Sequence, residues 1–304
     1  MNLRKALGSS SLLLAAIIWG FAFVAQTSGA ANIPTFTFNF LRSYIAIFFL
    51  GILIAILARK NPDLLPKTRQ EKKDLAVGGV ICGIALFIAT SFQQYGISIY
   101  PEGAGASGRA GFITALYVVL VPCFSAVIFR KKTHPLVWGG VLIAVAGMYL
   151  LCFGGGISRV YMGDALVFIC ALFFCLQILS IDRAVAKSNG ILLSCIQFFT
   201  MGTLSLICMV IFETPDWSAV GSSIGSILYL GIMSSGVAYT LQIIGQRYTE
   251  PTLACILMSL ESVFAVIGGW MILGERLDYR ELIGCALVFL AIIVAQMPGF
   301  IKKK

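Results

Sequence analysis

Charge is scarce in this chain. Only 12% of its residues are charged, against about a quarter in soluble domains, which leaves too little polar surface to cover a water-facing globule. Histidine is scarcer still, with His134 standing alone. No Walker A string, no HExxH and no glycine-rich dinucleotide fingerprint after a strand is present, which removes the usual routes to ATP hydrolysis, zinc proteolysis and nicotinamide chemistry. The nine cysteines (positions 82, 123, 152, 170, 175, 195, 208, 255 and 285) all fall in apolar runs, none of them in a CxxC or zinc-ligand spacing. They read as small apolar fillers, with no disulfide framework and no redox site. No cofactor or metal is expected, and no catalytic residue.

What is abundant is apolar: 59% of the 304 residues are hydrophobic and the mean hydropathy is +0.94. Glycine, at 31 residues, is scattered rather than periodic, which suits close helix packing in lipid. Ten apolar runs, each near the ~20 residues that cross a bilayer, predict ten membrane spans at 9–27, 34–58, 75–97, 103–129, 136–153, 163–181, 191–212, 222–245, 252–273 and 280–297. The first has the Arg4–Lys5 start of a signal peptide and a loose cleavage-like stretch at Ala25–Ala30. It is read as a helix because its apolar stretch is long and the repeat described below needs it.

Basic residues orient the spans. With the N-terminus in the cytoplasm, 17 of the 22 basic residues fall on the inside: Arg4, Lys5, Arg59 to Lys73, Arg130 to Lys132, Arg183, Lys187, Arg247 and Lys302 to Lys304. Three (Arg159, Arg276, Arg280) fall outside, and Arg42 and Arg109 lie within spans. This asymmetry predicts both termini in the cytoplasm. The net charge of +9 follows from these short loops. With no basic domain, no nucleic-acid partner is expected.

The halves resemble each other. FITALYVVLVPCFSAVIFRKK (112–132) leading to WGGVLIAVAGMYLL (138–151) resembles LMSLESVFAVIGGWMILGERL (257–277) leading to LIGCALVFLAIIVA (282–295), and an offset of 144 places Leu116 on Leu260, Lys131 on Glu275 and Gly140 on Gly284. QQYG (93–96) meets QIIG (242–245) at an offset of 149, and an offset of 155 puts Arg42 on Gln197. The collinear order is the signal. Five spans per half is an odd number, so the second copy enters the membrane upside down. The expected fold is therefore all-α integral membrane, ten helices as two inverted five-helix repeats, residues 1–153 and 154–304. Such repeats are a recurrent plan of secondary transporters; duplication that merely built a stable bundle is the alternative.

Taken together, AIIWGFAFVAQ (16–26), FNFLRS (38–43), QQYG (93–96), RAGFITALYVVLVP (109–122), GD (163–164), QRYTEPTLACILMSLESVFA (246–265) and GWMILGERL (269–277) resemble the drug/metabolite transporter superfamily, in its EamA-type ten-helix branch. The likeness covers nearly the whole chain. It implies export of amino acids or other metabolites across a bacterial cytoplasmic membrane. One departure is visible: the family commonly has Ser-Leu-Glu-Pro where this chain reads Ser259-Leu260-Glu261-Ser262, which puts a kink in the ninth span in doubt.

Charges inside spans cost ~2.5–3.5 kcal/mol each to insert and mark functional candidates. Arg42 lies roughly 12 Å deep in the second span, and Glu261 lies near the middle of the ninth. Each is either a substrate or proton site or a structural partner. Arg109, in the fourth span, either receives a substrate carboxylate beside the small-residue run Gly103–Gly111, snorkels to the headgroups, or pairs with Glu102. Asp164 opens the sixth span as a helix-capping group. The predicted substrate-binding residues are Trp19, Arg42, Gln93, Gln94, Arg109, Tyr117, Gln177, Tyr239, Gln242 and Glu261, with Gln26 and Thr114 lining the same cavity. Amides on a lipid-facing surface would lack partners, so they either line a shared cavity or tie helices together.

Gly105-Ala106-Ser107-Gly108 matches the GxSG string of intramembrane serine proteases, but His134 is ~26 residues, or roughly 39 Å, down the helix. The expected partners are a small-molecule substrate, the lipid bilayer and a proton as candidate coupling ion. The other classes carried are a partner-binding membrane subunit, for which Gly79/Gly83 and Gly221/Gly225 offer GxxxG spacing, and a lipid-modifying membrane enzyme.

Overall fold

The computed structural model describes residues 3–30, 33–101, 106–130, 134–153, 160–273 and 279–301. Glu102, Gly103, Gly105, Lys131, Lys132, Arg159, Glu275, Arg276 and Lys302 to Lys304 lie outside the described residues.

The chain is a helical bundle, with no strand among the described residues. The first half holds α1 (Leu3–Ala30), α2 (Thr35–Lys60), α3 (Arg69–Ser98), the broken pair α4 (Ala106–Ala115) and α5 (Tyr117–Phe129), and α6 (Pro135–Phe153). The second holds α7 (Met162–Ala184), α8 (Gly190–Phe212), the short α9 (Trp217–Ser222) and α10 (Ile224–Leu228), and a widened helical stretch at Tyr229–Ala238. It continues through α11 (Tyr239–Gln246), the broken pair α12 (Pro251–Met258) and α13 (Leu260–Leu273), and α14 (Tyr279–Ile301). Among the described residues eight helical stretches are long and apolar enough to cross a membrane. Two further apolar stretches, Pro135–Leu150 and Leu282–Ala295, are shorter.

Local chemistry sets several boundaries. The third span starts at Arg69, earlier than its apolar run, because Thr68 accepts from the Glu71 N–H (3.1 Å) while Glu71 accepts from the Thr68 N–H (3.3 Å). This capping box carries the helix through the charged Arg69–Asp74 stretch. Asn189 caps α8 by accepting from the Ile191 N–H at 2.9 Å. The N–H groups of Phe36 and Thr37, in the first turn of α2, donate to Glu213 from the far end of α8, each at 2.7 Å. A carboxylate there also meets the positive end of the helix.

The fourth and ninth spans each break near their middle, at Leu116 and Ser259. The expected doubt about a kink in the ninth span is resolved: the break forms without a proline. Ser262 N–H donates to Ser259 O (3.1 Å) and Leu116 N–H to Ile113 O (3.2 Å), tighter turns that interrupt the α-helical ladder.

Polarity is inverted relative to a soluble protein. Phe48, Val127, Leu142 and Val210 are exposed, while seven glutamines (26, 93, 94, 177, 197, 242 and 246) are buried. An apolar exterior around a polar interior is what a bilayer demands, and the chain is an integral membrane protein. Helices meet closely through glycine. A Cβ on Gly140 would come 2.9 Å from Ala291 O, and one on Gly147 2.8 Å from Gly284 O, so α6 and α14 touch backbone to backbone. Gly79 and Gly83 face Ile196 and Thr200 of α8, so this GxxxG face is used inside the molecule and offers no partner-docking surface.

Candidate functional site

The centre of the bundle holds a cavity of about 40 Å³. Of the predicted site residues, Trp19, Arg42, Gln93, Tyr117, Tyr239, Gln242 and Glu261 line it. Gln26 and Thr114 line it too, together with Phe174, Ser234 and Met258, which the sequence did not single out. Both halves contribute. Gln94 and Gln177 stand behind the wall, and Arg109 belongs to a different cluster.

Each polar residue is held by its helix. Trp19 (α1) packs edge-on against Tyr239, ring centroids 4.8 Å apart, and Phe198 packs edge-on against the same ring at 5.3 Å. Tyr117, the first residue after the break in the fourth span, donates its hydroxyl to Glu261 Oε1 at 2.9 Å. Glu261 itself follows the break in the ninth span, so two helix interruptions bring this pair face to face. Ser234 reaches the cavity from the widened segment, where the Tyr239 N–H bonds the Ser234 carbonyl five residues back. Such wide turns re-aim side chains, often at functional sites. The segment approaches α2 through Gly231, whose Cβ would lie 2.5 Å from Ile45 and 3.2 Å from the Arg42 carbonyl.

Two amide chains flank the cavity. Gln26 donates to Gln93 (3.2 Å) and to Gln94 (3.5 Å), and Gln93 donates to Thr114 (3.1 Å). On the other side Gln242 donates to Gln177 (3.3 Å), which donates to Gln197 (3.0 Å). These amides tie helices together, and Gln26, Gln93 and Gln242 also line the cavity.

Arg109 lies away from the cavity, at the end of the molecule where α3 stops and α7 starts. It donates to Asp164 through Nε (3.1 Å) and Nη2 (2.6 Å), a forked pair, and its guanidinium stacks 4.8 Å over the Tyr161 ring. Asp164 is the third residue of α7, and it reaches back to the Tyr161 N–H (2.8 Å) and accepts from the Tyr100 hydroxyl (2.7 Å). Burial, reinforced by the Asp164 carboxylate, pushes the Tyr100 phenol above its ordinary range and keeps it a donor. Gly96 and Gly163 admit this closeness, since a Cβ on Gly163 would lie 2.8 Å from Gly96 O.

Known proteins fall in line with this architecture. The model of the EamA-like transporter family matches twice, at residues 6–153 and 161–297. A protein of Archaeoglobus fulgidus named as an uncharacterized transporter is 31% identical over 297 residues, spanning 97% of this chain and 88% of its own length. YedA of Escherichia coli K12, named as an uncharacterized inner membrane transporter, is 23% identical over 304 residues, spanning 99% of this chain and 94% of its own. A crystal structure with 22% identity shares the fold, with a TM-score of 0.77 over 98% of this chain and 99% of the other.

Proposed function

The chain belongs to the EamA-like transporter family, and from that premise we propose that it is a secondary transporter exporting a small metabolite, an amino acid or related compound, across a bacterial cytoplasmic membrane. The observation that carries this reading is the buried cavity holding Arg42 and Glu261, walled by both halves of the chain inside an apolar exterior. The name of the YedA relative supports the inner membrane as its location, and the basic-residue asymmetry supports cytoplasmic termini.

We further propose ten spans arranged as two inverted five-helix repeats, residues 1–153 and 154–304. Packing supports the exchange of halves. The contact of α3 with α7 has its counterpart in α1 with α11, α3 with α8 in α2 with the widened segment, and α7 with α4 and α5 in α1 with α12 and α13. The pairs α2–α8 and α6–α14 map onto themselves. The hydrogen bond Gln26–Gln93 has its counterpart in Gln177–Gln242, and the Gly96–Gly163 approach in Gly8–Gly245. Tyr117 and Glu261 are 144 residues apart, the offset that aligns their two spans. Their contact therefore falls where a two-fold axis would cross.

A cavity of about 40 Å³ accommodates a few waters, so a metabolite enters only when the helices part. Two related halves that rock about a central site achieve this alternately on each face. With no ATP-binding string, the work is drawn from a gradient. Glu261, a carboxylate in the cavity, is the candidate carrier of a coupled proton. Metabolite profiling inside and outside cells with and without the chain tests the function. Expression should deplete one metabolite class inside and raise it outside; profiles that do not change contradict export.

A further inference from the structure

One group in the central cavity has no counterpart around it. Arg42 is 3% exposed, its Nε is buried without a hydrogen-bond partner, and among the described residues no carboxylate reaches ion-pair distance of it. Glu261 lines the same cavity but accepts from Tyr117 instead. A guanidinium does not lose its proton inside a protein, so it stays a buried cation, which is costly until an anion reaches it. The cavity holds two more unmatched atoms, the indole donor Nε1 of Trp19 and the amide acceptor Oε1 of Gln242.

Tying helices together does not account for the charge. At the equivalent position the second half has neutral Gln197, which closes the amide chain by accepting from Gln177 at 3.0 Å. The first half closes its own chain on the Thr114 hydroxyl and bypasses Arg42. A neutral side chain serves the fold at this position, and the positive charge is left over.

We propose that Arg42 is the receptor for a carboxylate of the transported molecule, with Trp19 Nε1 as a second donor. The amino group of the same molecule is taken by Glu261 and Gln242 Oε1. This rests on the transport reading above and adds to it the chemistry of the substrate's recognition. Charge sets the first requirement on the ligand: the fixed cation of Arg42 calls for a negative end, while the oxygens of Glu261 and Gln242 accept from an amino group. A phosphate dianion would leave excess negative charge beside Glu261.

The test is thermal unfolding of the purified full-length chain against a series of L-amino acids, the same compounds as carboxamides, and inorganic phosphate. It is run on the native chain, Arg42→Gln and Arg42→Lys. At least one amino acid should stabilise the native chain and its carboxamide should not. Arg42→Gln, which installs the residue type that the other half already uses, should unfold normally without ligand and bind the acid about 10- to 100-fold more weakly. Arg42→Lys should bind it with intermediate strength. Equal binding of acid and carboxamide, undiminished binding by Arg42→Gln, stabilisation by phosphate in place of the acids, or no stabilisation by any acid would each overturn the assignment. If Arg42→Gln fails to fold, the acid and carboxamide comparison on the native chain and Arg42→Lys still decides. Metabolite profiling judges the transport reading separately.

Discussion

Arg109 and Asp164 are 55 residues apart in sequence and form a forked ion pair. Their side chains are only 9% and 11% exposed, so removing one leaves the other buried without this ion-pair partner. Asp164→Asn should lower stability by about 3 kcal/mol. The double variant Arg109→Gln/Asp164→Asn should lose less than the two single losses combined. Thermal unfolding of the four chains checks this, and strictly additive losses would show that the pair is not coupled. Glu261 calls for a different measurement. Glu261→Gln keeps an oxygen to accept from Tyr117, so folding and expression should hold while transport and its pH response are lost. Full activity with an unchanged pH response would make Glu261 structural. At this scale the sequence exposed the costly residues but not their partners. A charge in an apolar run is visible by itself, whereas bringing Asp164 to Arg109 requires knowing that α3, α4 and α7 converge.

Helix contacts depend on where a Cβ is missing. A Cβ on Gly20 would lie 2.3 Å from Phe264 Cβ and 2.7 Å from its backbone carbon, so α1 and α13 would have to separate. Gly51 has nothing within 4 Å. Gly20→Ala should destabilise by about 1–3 kcal/mol. Gly51→Ala should be neutral or stabilise by up to ~1 kcal/mol through helix propensity. Thermal unfolding separates them, and equal effects would contradict the packing described. The apolar runs revealed the helices because a bilayer imposes length and hydropathy on each span independently. The breaks at Leu116 and Ser259 were hidden, since they rest on tightened backbone turns rather than proline, and Pro122 lies inside α5 instead. The widened turn at Tyr229–Ala238 was hidden as well. Its small residues Gly231 and Gly236 pack against Ile45 and Phe49 of α2, a tertiary cause invisible along the chain.

The molecule as a whole is an apolar shell around a polar seam, and composition alone announced that inversion. The sequence offsets proposed which helices correspond, yet not which pairs touch or how little space the centre leaves. Two expectations belong to this scale. A reporter fused after Lys304 should be cytoplasmic, as the basic-residue count predicts; an extracytoplasmic reporter would mean an odd number of spans or a reversed chain. The central claim is that one cavity, shared by both halves, receives the substrate. Its direct test places single cysteines at Gln93 and Thr114 in the first half and at Ser234 and Gln242 in the second, in a chain stripped of its nine native cysteines. A water-soluble thiol reagent should label each position, and the exported metabolite should protect positions in both halves. Labelling or protection confined to one half, or no labelling at any position, would contradict a shared central site.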